Sequence, residues 1–292
     1  ESHIGGDSNT TEVEEVGRRL PVDTGFMVFN KVPYPYLVRL FGELRVPIKP
    51  TEMSFSVRHE GLDVEYNGMG FNRVFAQRRN LVRPRYLRLL MQILRFFRVA
   101  NASLDDESLE SMSLDEFVRH HRLGDDFVRL YLVPMSASIW SITPGGALDF
   151  PAATLVRFFH NHGFLGVTTH HPWFTVAGGS REYVKHMLAD LPQTHAAAPV
   201  ASVKAAADQV TIRTKDGATH RFDRVILAAH ADESLALLVR PTGRQEKLLS
   251  AFRYQANETV LHTDETVMPR RKLAWAAWNY RMELSAEGER PS

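Results

Sequence analysis

The amino-acid sequence predicts an α/β (α+β) fold, and three observations carry that prediction. Short β-rich runs alternate with helical stretches along the chain. Residues 224–229 (RVILAA) run apolar without alternation, as a strand buried on both faces does. Residues 33 to about 165 read mainly as helix, an insertion between two strand-bearing ends.

Each element has a local cause. Residues 1 to about 32 are extended and glycine-containing, with an apolar β-type run at 25–29 (GFMVF). Pro84 suits the first position of a helix reaching about Ala100, because the N–H it lacks would have no partner there. Ser113-Leu-Asp-Glu116 is a capping box that opens a second helix. Residues 125–140 read as a third, bent or broken at Pro134. Asp149 can cap a fourth, which starts at Pro151 and stops before Gly163. Ser180, after Gly178-Gly179, can cap a helix over 181–190. Strands are expected at 200–203 and 210–214, followed by an Asp216-Gly217 hairpin turn and a return through Arg221. The 224–229 strand feeds a helix around 232–238, and Leu261 and residues 275–280 suggest two last strands.

Composition narrows the classes of function. The 292 residues are 44% hydrophobic and 24% charged, which suits one large domain or two ordinary ones and excludes disorder. With no cysteine there is no disulfide framework, thiolate nucleophile, Cys-ligated zinc or iron–sulfur cluster. Lys+Arg of 35 against Asp+Glu of 34 gives a net charge of +1, so nothing global points to nucleic acid. No apolar run is long enough to span a bilayer, and a cytoplasmic protein is the default expectation.

Short motifs then recur in a fixed order. Gly5-Gly6, followed by Thr10, precedes Val22-Asp23-Thr24-Gly25-Phe26; far downstream lie Pro199-Val200, Asp216-Gly217 and the 223–229 run. Glycines at a strand-to-loop junction let backbone N–H groups approach a pyrophosphate. Taken together, the set resembles the FAD-binding half of the flavin-containing amine oxidase superfamily. Longer matches resemble one bacterial branch of it, described as flavin-containing amine oxidases or NAD/FAD-binding proteins. These are VDTGFMVFN (22–30), Pro134-Met135 with Ile139-Trp140-Ser141, RFFHNHG (157–163), Trp173 with Gly178-Gly179-Ser180, Leu261-His262-Thr263-Asp264 and AWAAWNY (274–280).

The resemblance implies a Rossmann-like FAD-binding domain, incomplete here, over 1–32 and 172–240. It implies a substrate (cap) domain, largely helical with a mixed sheet, over 33–171 and 241–292. It assigns FAD contacts to Gly5, Gly6 and Ser8, to Thr24, Gly25, Phe26 and Met27 against the flavin, to Val200 at the adenine, and to Ala229. Asp7 departs from the family, which has Arg or His there, and a carboxylate beside a pyrophosphate is unfavourable. No G-x-G-x-x-G occurs, and the family spacing puts the ribose-binding glutamate two positions before Glu1. The chain closes at Arg290-Pro291-Ser292 ahead of the family's Gly-rich last motif, so an internal fragment is expected, inactive alone and retaining FAD weakly or not at all.

The implied activity is hydride transfer to flavin from an amine or an apolar, lipid-like small molecule. Relatives of the branch occur beside or fused to cyclopropane-fatty-acid synthases, which tilts the expectation toward lipids. A non-catalytic flavin- or lipid-binding partner protein is the alternative. No residue reads as a catalytic base, so the catalytic set is left open.

Three further patterns carry two readings each. Among thirteen histidines, His160 and His162 are spaced i, i+2 in FHNHG, with no HExxH and no placed carboxylate, so no metal is expected; they are structural or line a substrate site. Trp275, Trp278 and Tyr280 on an expected strand are core residues or aromatic walls facing a flavin. Residues 66–104 contain no acid and eight arginines; within 84–100, Arg85, Arg88, Gln92 and Arg95 share a helix face. That helix is either a solvated arginine face or a peripheral contact with an anionic membrane surface.

Overall fold

Residues 4–141, 144–191, 193–285 and 288–291 are described in the computed structural model; Glu1 and Ser292, on which the expectations about the chain ends rest, lie outside them. The chain divides into two compact units, Glu1–Phe26 with Ser180–Val260, and Met27–Gly179 with Leu261–Ser292. Helices and strands are mixed in both, as the α/β (α+β) reading expects.

The second unit is built around the helix Pro84–Ala102. Pro84 opens it, and Tyr86, Leu89, Phe96 and Ala100 fall on one face and are buried. Phe96, fully buried, is ringed by Phe117, Phe127, Tyr131 and Phe159 with centroids 5.2–6.2 Å away. Leu114–His120 starts with the expected reciprocal box: Ser113 N–H donates to the Glu116 carboxylate (2.8 Å), and Glu116 N–H to the Ser113 hydroxyl (3.2 Å). The helix at 152 starts from Pro151 with no side-chain cap, so Asp149 does not act as expected.

Pro134 neither bends nor breaks the 125–140 run in the expected way. The helix passes through a π segment, Val128–Leu132, between Asp125–Phe127 and Val133–Trp140. Pro134 has no N–H to offer Leu130 four residues back, and the Leu130 carbonyl accepts the buried Tyr66 hydroxyl instead (2.6 Å). The widened turn absorbs the proline without ending the helix.

A four-stranded sheet lies beside these helices. Phe55–His59 pairs in parallel with Trp278–Ser285 and antiparallel with Val64–Asn67; Gly288–Pro291 adds the outer strand. Every residue of Phe55–His59 and Val64–Asn67 is buried, charged ones included. Glu65 accepts the N–H groups of Arg270 and Arg271 (3.1 and 3.3 Å), and Arg58 donates to the carbonyls of Thr266 and Met268. These bonds fasten residues 266–271 to the sheet, and Trp275 precedes the strand Trp278–Ser285 rather than belonging to it. A second sheet joins Phe29–Asn30, Trp173–Val176 and Ile48–Thr51, all antiparallel.

The first unit holds a hairpin, Thr10–Glu15 with Arg18–Asp23, and an antiparallel meander of Val200–Ala205, Val210–Thr214 and Thr219–Phe222. The Asp216-Gly217 turn closes the meander as expected, its carboxylate accepting the Ala218 N–H (3.1 Å). Helices Arg181–Ala189, Ala231–Leu237 and Gly243–Leu249 accompany them. Three expected strands are not formed. Residues 25–29 do not form a single strand: Thr24 and Phe26 bond back to Asn9 and Asp7, and pairing resumes only at Phe29–Asn30. Residues 224–229 carry no ladder and Ile226 is 92% exposed, because among the described residues no strand flanks them. Leu261 lies in an exposed stretch without regular structure.

Candidate functional site

In the first unit the Gly-Gly turn and the Asp-x-Gly run meet. Ser8 N–H donates to the Gly5 carbonyl (2.9 Å), Thr24 N–H to Asn9 (3.0 Å) and Phe26 N–H to Asp7 (2.8 Å). Gly25 is required here because a Cβ on it would collide with the Asp7 carbonyl. Gly6 has a φ of 55°, in the left-handed region that favours glycine, and nothing lies within 4 Å of where its Cβ would stand. Among the described residues the amides of Gly6, Asp7 and Gly25 donate to no protein acceptor. They are the donors an anion could take.

Tyr183 braces this loop, contacting the buried Ser8 hydroxyl through its own hydroxyl and standing edge-on to Phe26 at 6.1 Å. The helix that carries Tyr183 is not capped by Ser180. Asp23 Oδ1 accepts the Ser180 N–H (2.8 Å), the Ser180 hydroxyl (2.9 Å) and the Thr10 hydroxyl (2.6 Å). The Thr10 oxygen in turn accepts the Arg181 N–H (3.1 Å). A carboxylate from the hairpin therefore meets the positive end of the helix and satisfies its first amides. Sequence pattern placed Asp23 in a motif but could not give it this role, since Ser180 is 157 residues away.

Of the residues assigned to FAD, the structure brings together Gly5, Gly6, Ser8, Thr24, Gly25 and Phe26. The Ser8 side chain turns inward to Tyr183 rather than outward. Met27 opens the second unit, where its carbonyl accepts the Thr175 hydroxyl (2.7 Å). Val200 begins the meander opposite Thr214, and exposed Ala229 accepts the Ser234 hydroxyl (3.3 Å); no hydrogen bond among the described residues joins either to the glycine turn.

In the second unit the two histidines of FHNHG part company: His160 is exposed and His162 is buried. The His162 Nδ1 stands 2.8 Å from the Phe158 carbonyl and must carry the proton, leaving Nε2 to accept from the Tyr34 hydroxyl at 3.1 Å. Burial holds the His162 pKa below the ordinary histidine value and raises that of Tyr34. The neutral ring stacks on Phe158 at 4.0 Å and on Trp173 at 6.0 Å. Tyr34 carried no sequence signal.

Trp173 is one wall of a cleft of about 770 Å³, which also takes Pro50, Met53 and Met69, the Glu52–Arg73 ion pair (2.6 Å), and His170 with His171. His162 thus supports a wall of the cleft from behind. Trp278 and Tyr280 go into the core, and the buried Tyr280 hydroxyl has no hydrogen-bond partner among the described residues; burial raises its pKa to about 12. Trp275 donates its indole N–H to the Pro269 carbonyl (2.8 Å).

A glycine turn with amides that donate to no acceptor among the described residues is a site that an anionic group can occupy. The chain belongs to the flavin-containing amine oxidoreductase family, whose model matches residues 1–279. Solved structures with the same fold include a putrescine oxidase variant, 16% identical, covering 85% of this chain and 56% of that one with a TM-score of 0.61. Cyclohexylamine oxidase from Brevibacterium oxydans IH-35A is 13% identical, covering 85% and 55% with a TM-score of 0.60. A CLA-producing fatty acid isomerase from P. acnes is 14% identical, covering 85% and 55% with a TM-score of 0.58. The chain spans a little over half the length of these structures. No curated protein sequence matches it.

FAD is the cofactor of this family, and the turn offers donors for an anionic group: among the described residues the amides of Gly6, Asp7 and Gly25 donate to no acceptor, and the Gly6 side is open. No helix among the described residues is long and apolar enough to cross a membrane.

Proposed function

We propose that the protein is an FAD-dependent oxidoreductase of amine-oxidase type, acting on an amine or on an apolar, lipid-like small molecule. The observation that supports this reading is the double turn of residues 5–8 and 24–26, in which the amides of Gly6, Asp7 and Gly25 donate to no acceptor among the described residues, in a chain of the flavin-containing family. In this reading Glu1–Phe26 with Ser180–Val260 is the FAD-binding unit and Met27–Gly179 with Leu261–Ser292 receives the substrate. When bound, FAD supplies the hydride acceptor, and the protein supplies binding and orientation.

The chain's own residues have definite tasks. Gly6 and Gly25 hold the cofactor through the backbone; Asp23, Thr10 and Tyr183 keep that loop in one shape. The cleft at Trp173 takes the substrate, with Met53, Met69 and Pro50 for an apolar body and the Glu52–Arg73 pair for a polar head. The pair keeps Glu52 ionised, because the Arg73 hydrogen bond lowers its pKa. An ammonium suits Glu52 and a carboxylate suits Arg73, consistent with neighbours named for putrescine, for cyclohexylamine and for a fatty acid.

Anaerobic mixing of the holoprotein with a panel of alkylamines and of unsaturated fatty acids tests this. Bleaching of the yellow oxidised flavin by one class supports the oxidoreductase and names its substrate. Flavin that stays oxidised with every member contradicts it and favours a flavin- or lipid-binding partner protein.

A further inference from the structure

The helix Pro84–Ala102 leaves an unusual outer face. Leu87, Met91 and Leu94, at i, i+4 and i+7, are 37%, 62% and 54% exposed and form one apolar row. Exposed Arg88, Arg95 and Arg98 run along the same face, and Val82, just before the helix, is 81% exposed. Arg85 pairs with Asp126, whereas among the described residues Arg88, Arg95 and Arg98 form no ion pair. Arg85 and Arg88, with Gln92 and Arg129, also edge a small pocket of about 280 Å³ that takes Asp125 and Asp126. The helix contains no acid, although the whole chain is nearly neutral at +1.

We infer that this face docks on an anionic phospholipid surface. The charge selects the occupant: unpaired guanidinium groups beside aliphatic side chains match a layer that is anionic at its headgroups and apolar just beneath. A second copy of the chain, meeting this face about a two-fold axis, would set arginine against arginine. Nucleic acid would answer the arginines but leave Leu87, Met91 and Leu94 in water. The row of apolar residues is shallow, so the helix lies in the interface plane and does not cross it. The inference is independent of the flavin reading.

Co-sedimentation of the full chain with vesicles tests it. Binding is expected to vesicles of phosphatidylglycerol and phosphatidylcholine at low salt, and to be far weaker with phosphatidylcholine alone. Each arginine near the surface contributes about five-fold to partitioning, so Arg88→Gln/Arg95→Gln/Arg98→Gln should weaken it on the order of a hundred-fold. Leu87→Ser/Met91→Ser/Leu94→Ser should abolish the binding that persists at high salt. Both sets are exposed, and unchanged circular dichroism and melting temperature verify that they fold. A wild-type chain left in the supernatant with anionic vesicles overturns the inference, as does vesicle binding that either triple variant leaves intact. Self-association lost in those variants, without vesicle binding, hands the face to a second copy.

Discussion

Two segments that both carry large apolar side chains end in opposite surroundings. Phe96 sits at 0% exposure within four aromatic rings, and Ile226, in the apolar 224–229 run, stands at 92%. The helix around Phe96 is amphipathic and finds its partners among helices that follow it closely, Leu114–His120, the 125–140 run and Ala152–Asn161. The 224–229 run has the composition of a central parallel strand, and such a strand is buried only when strands lie on both sides and helices on both faces. Composition states what a segment could bury. The neighbours that the fold supplies decide whether it does.

The largest expected effect breaks the packed side of this contrast. Phe96→Ala should destabilise the second unit by about 3–5 kcal/mol, measured by urea denaturation, since four rings lose their common partner. Next is Asp23→Ala in the first unit. It leaves three donors without their shared acceptor and should cost about 2 kcal/mol, with faster proteolysis at the Ser180 end of the helix. Retained stability there would mean that water replaces the carboxylate without loss.

Three histidines of the second unit, His121, His170 and His162, have pKa values lowered by burial, and His162 supplies one share of the unit's pH dependence. Its folded pKa lies below the ordinary 6.5 through burial, so the unfolded chain binds the proton more readily. The stabilising contribution is present above about pH 6.5 and is lost as pH falls below it toward the folded value. His162→Phe should flatten that acid limb in thermal melts taken from pH 7 to 5. The smallest effects are expected at Tyr280 and Ile226. Tyr280→Phe removes a buried hydroxyl that has no hydrogen-bond partner among the described residues, and should leave the melting temperature unchanged or slightly raised. A rise in KM at constant stability would instead place that hydroxyl against substrate. Ile226→Ser should change stability by less than about 0.5 kcal/mol, and a larger loss would contradict its exposure.

Local signals were legible in the sequence wherever the cause is local. The Ser113–Glu116 box, Pro84 at a helix start and the Asp216-Gly217 turn each act within a few residues, and each stands as expected. The order of short motifs also carried the family and its cofactor. What the sequence did not reveal depends on distant partners. Asp23 rather than Ser180 caps the helix at 181, Tyr66 answers the carbonyl freed by Pro134, and Tyr34 donates to the Nε2 of His162. The strand expected at 275 begins at Trp278, and Arg58 and Glu65 hold the preceding loop across the sheet.

The central claim is that the backbone of the Gly5–Ser8 turn holds the dinucleotide, and FAD retention in a Gly6→Val holoprotein tests it most directly. Gly6 is open where a side chain would stand, so valine should block the approach and strain the turn while leaving the core untouched. The account predicts at least about ten-fold weaker FAD binding, a loss of about 1.4 kcal/mol, with the melting temperature of the second unit preserved. FAD bound by that variant as tightly as by the wild type would contradict it.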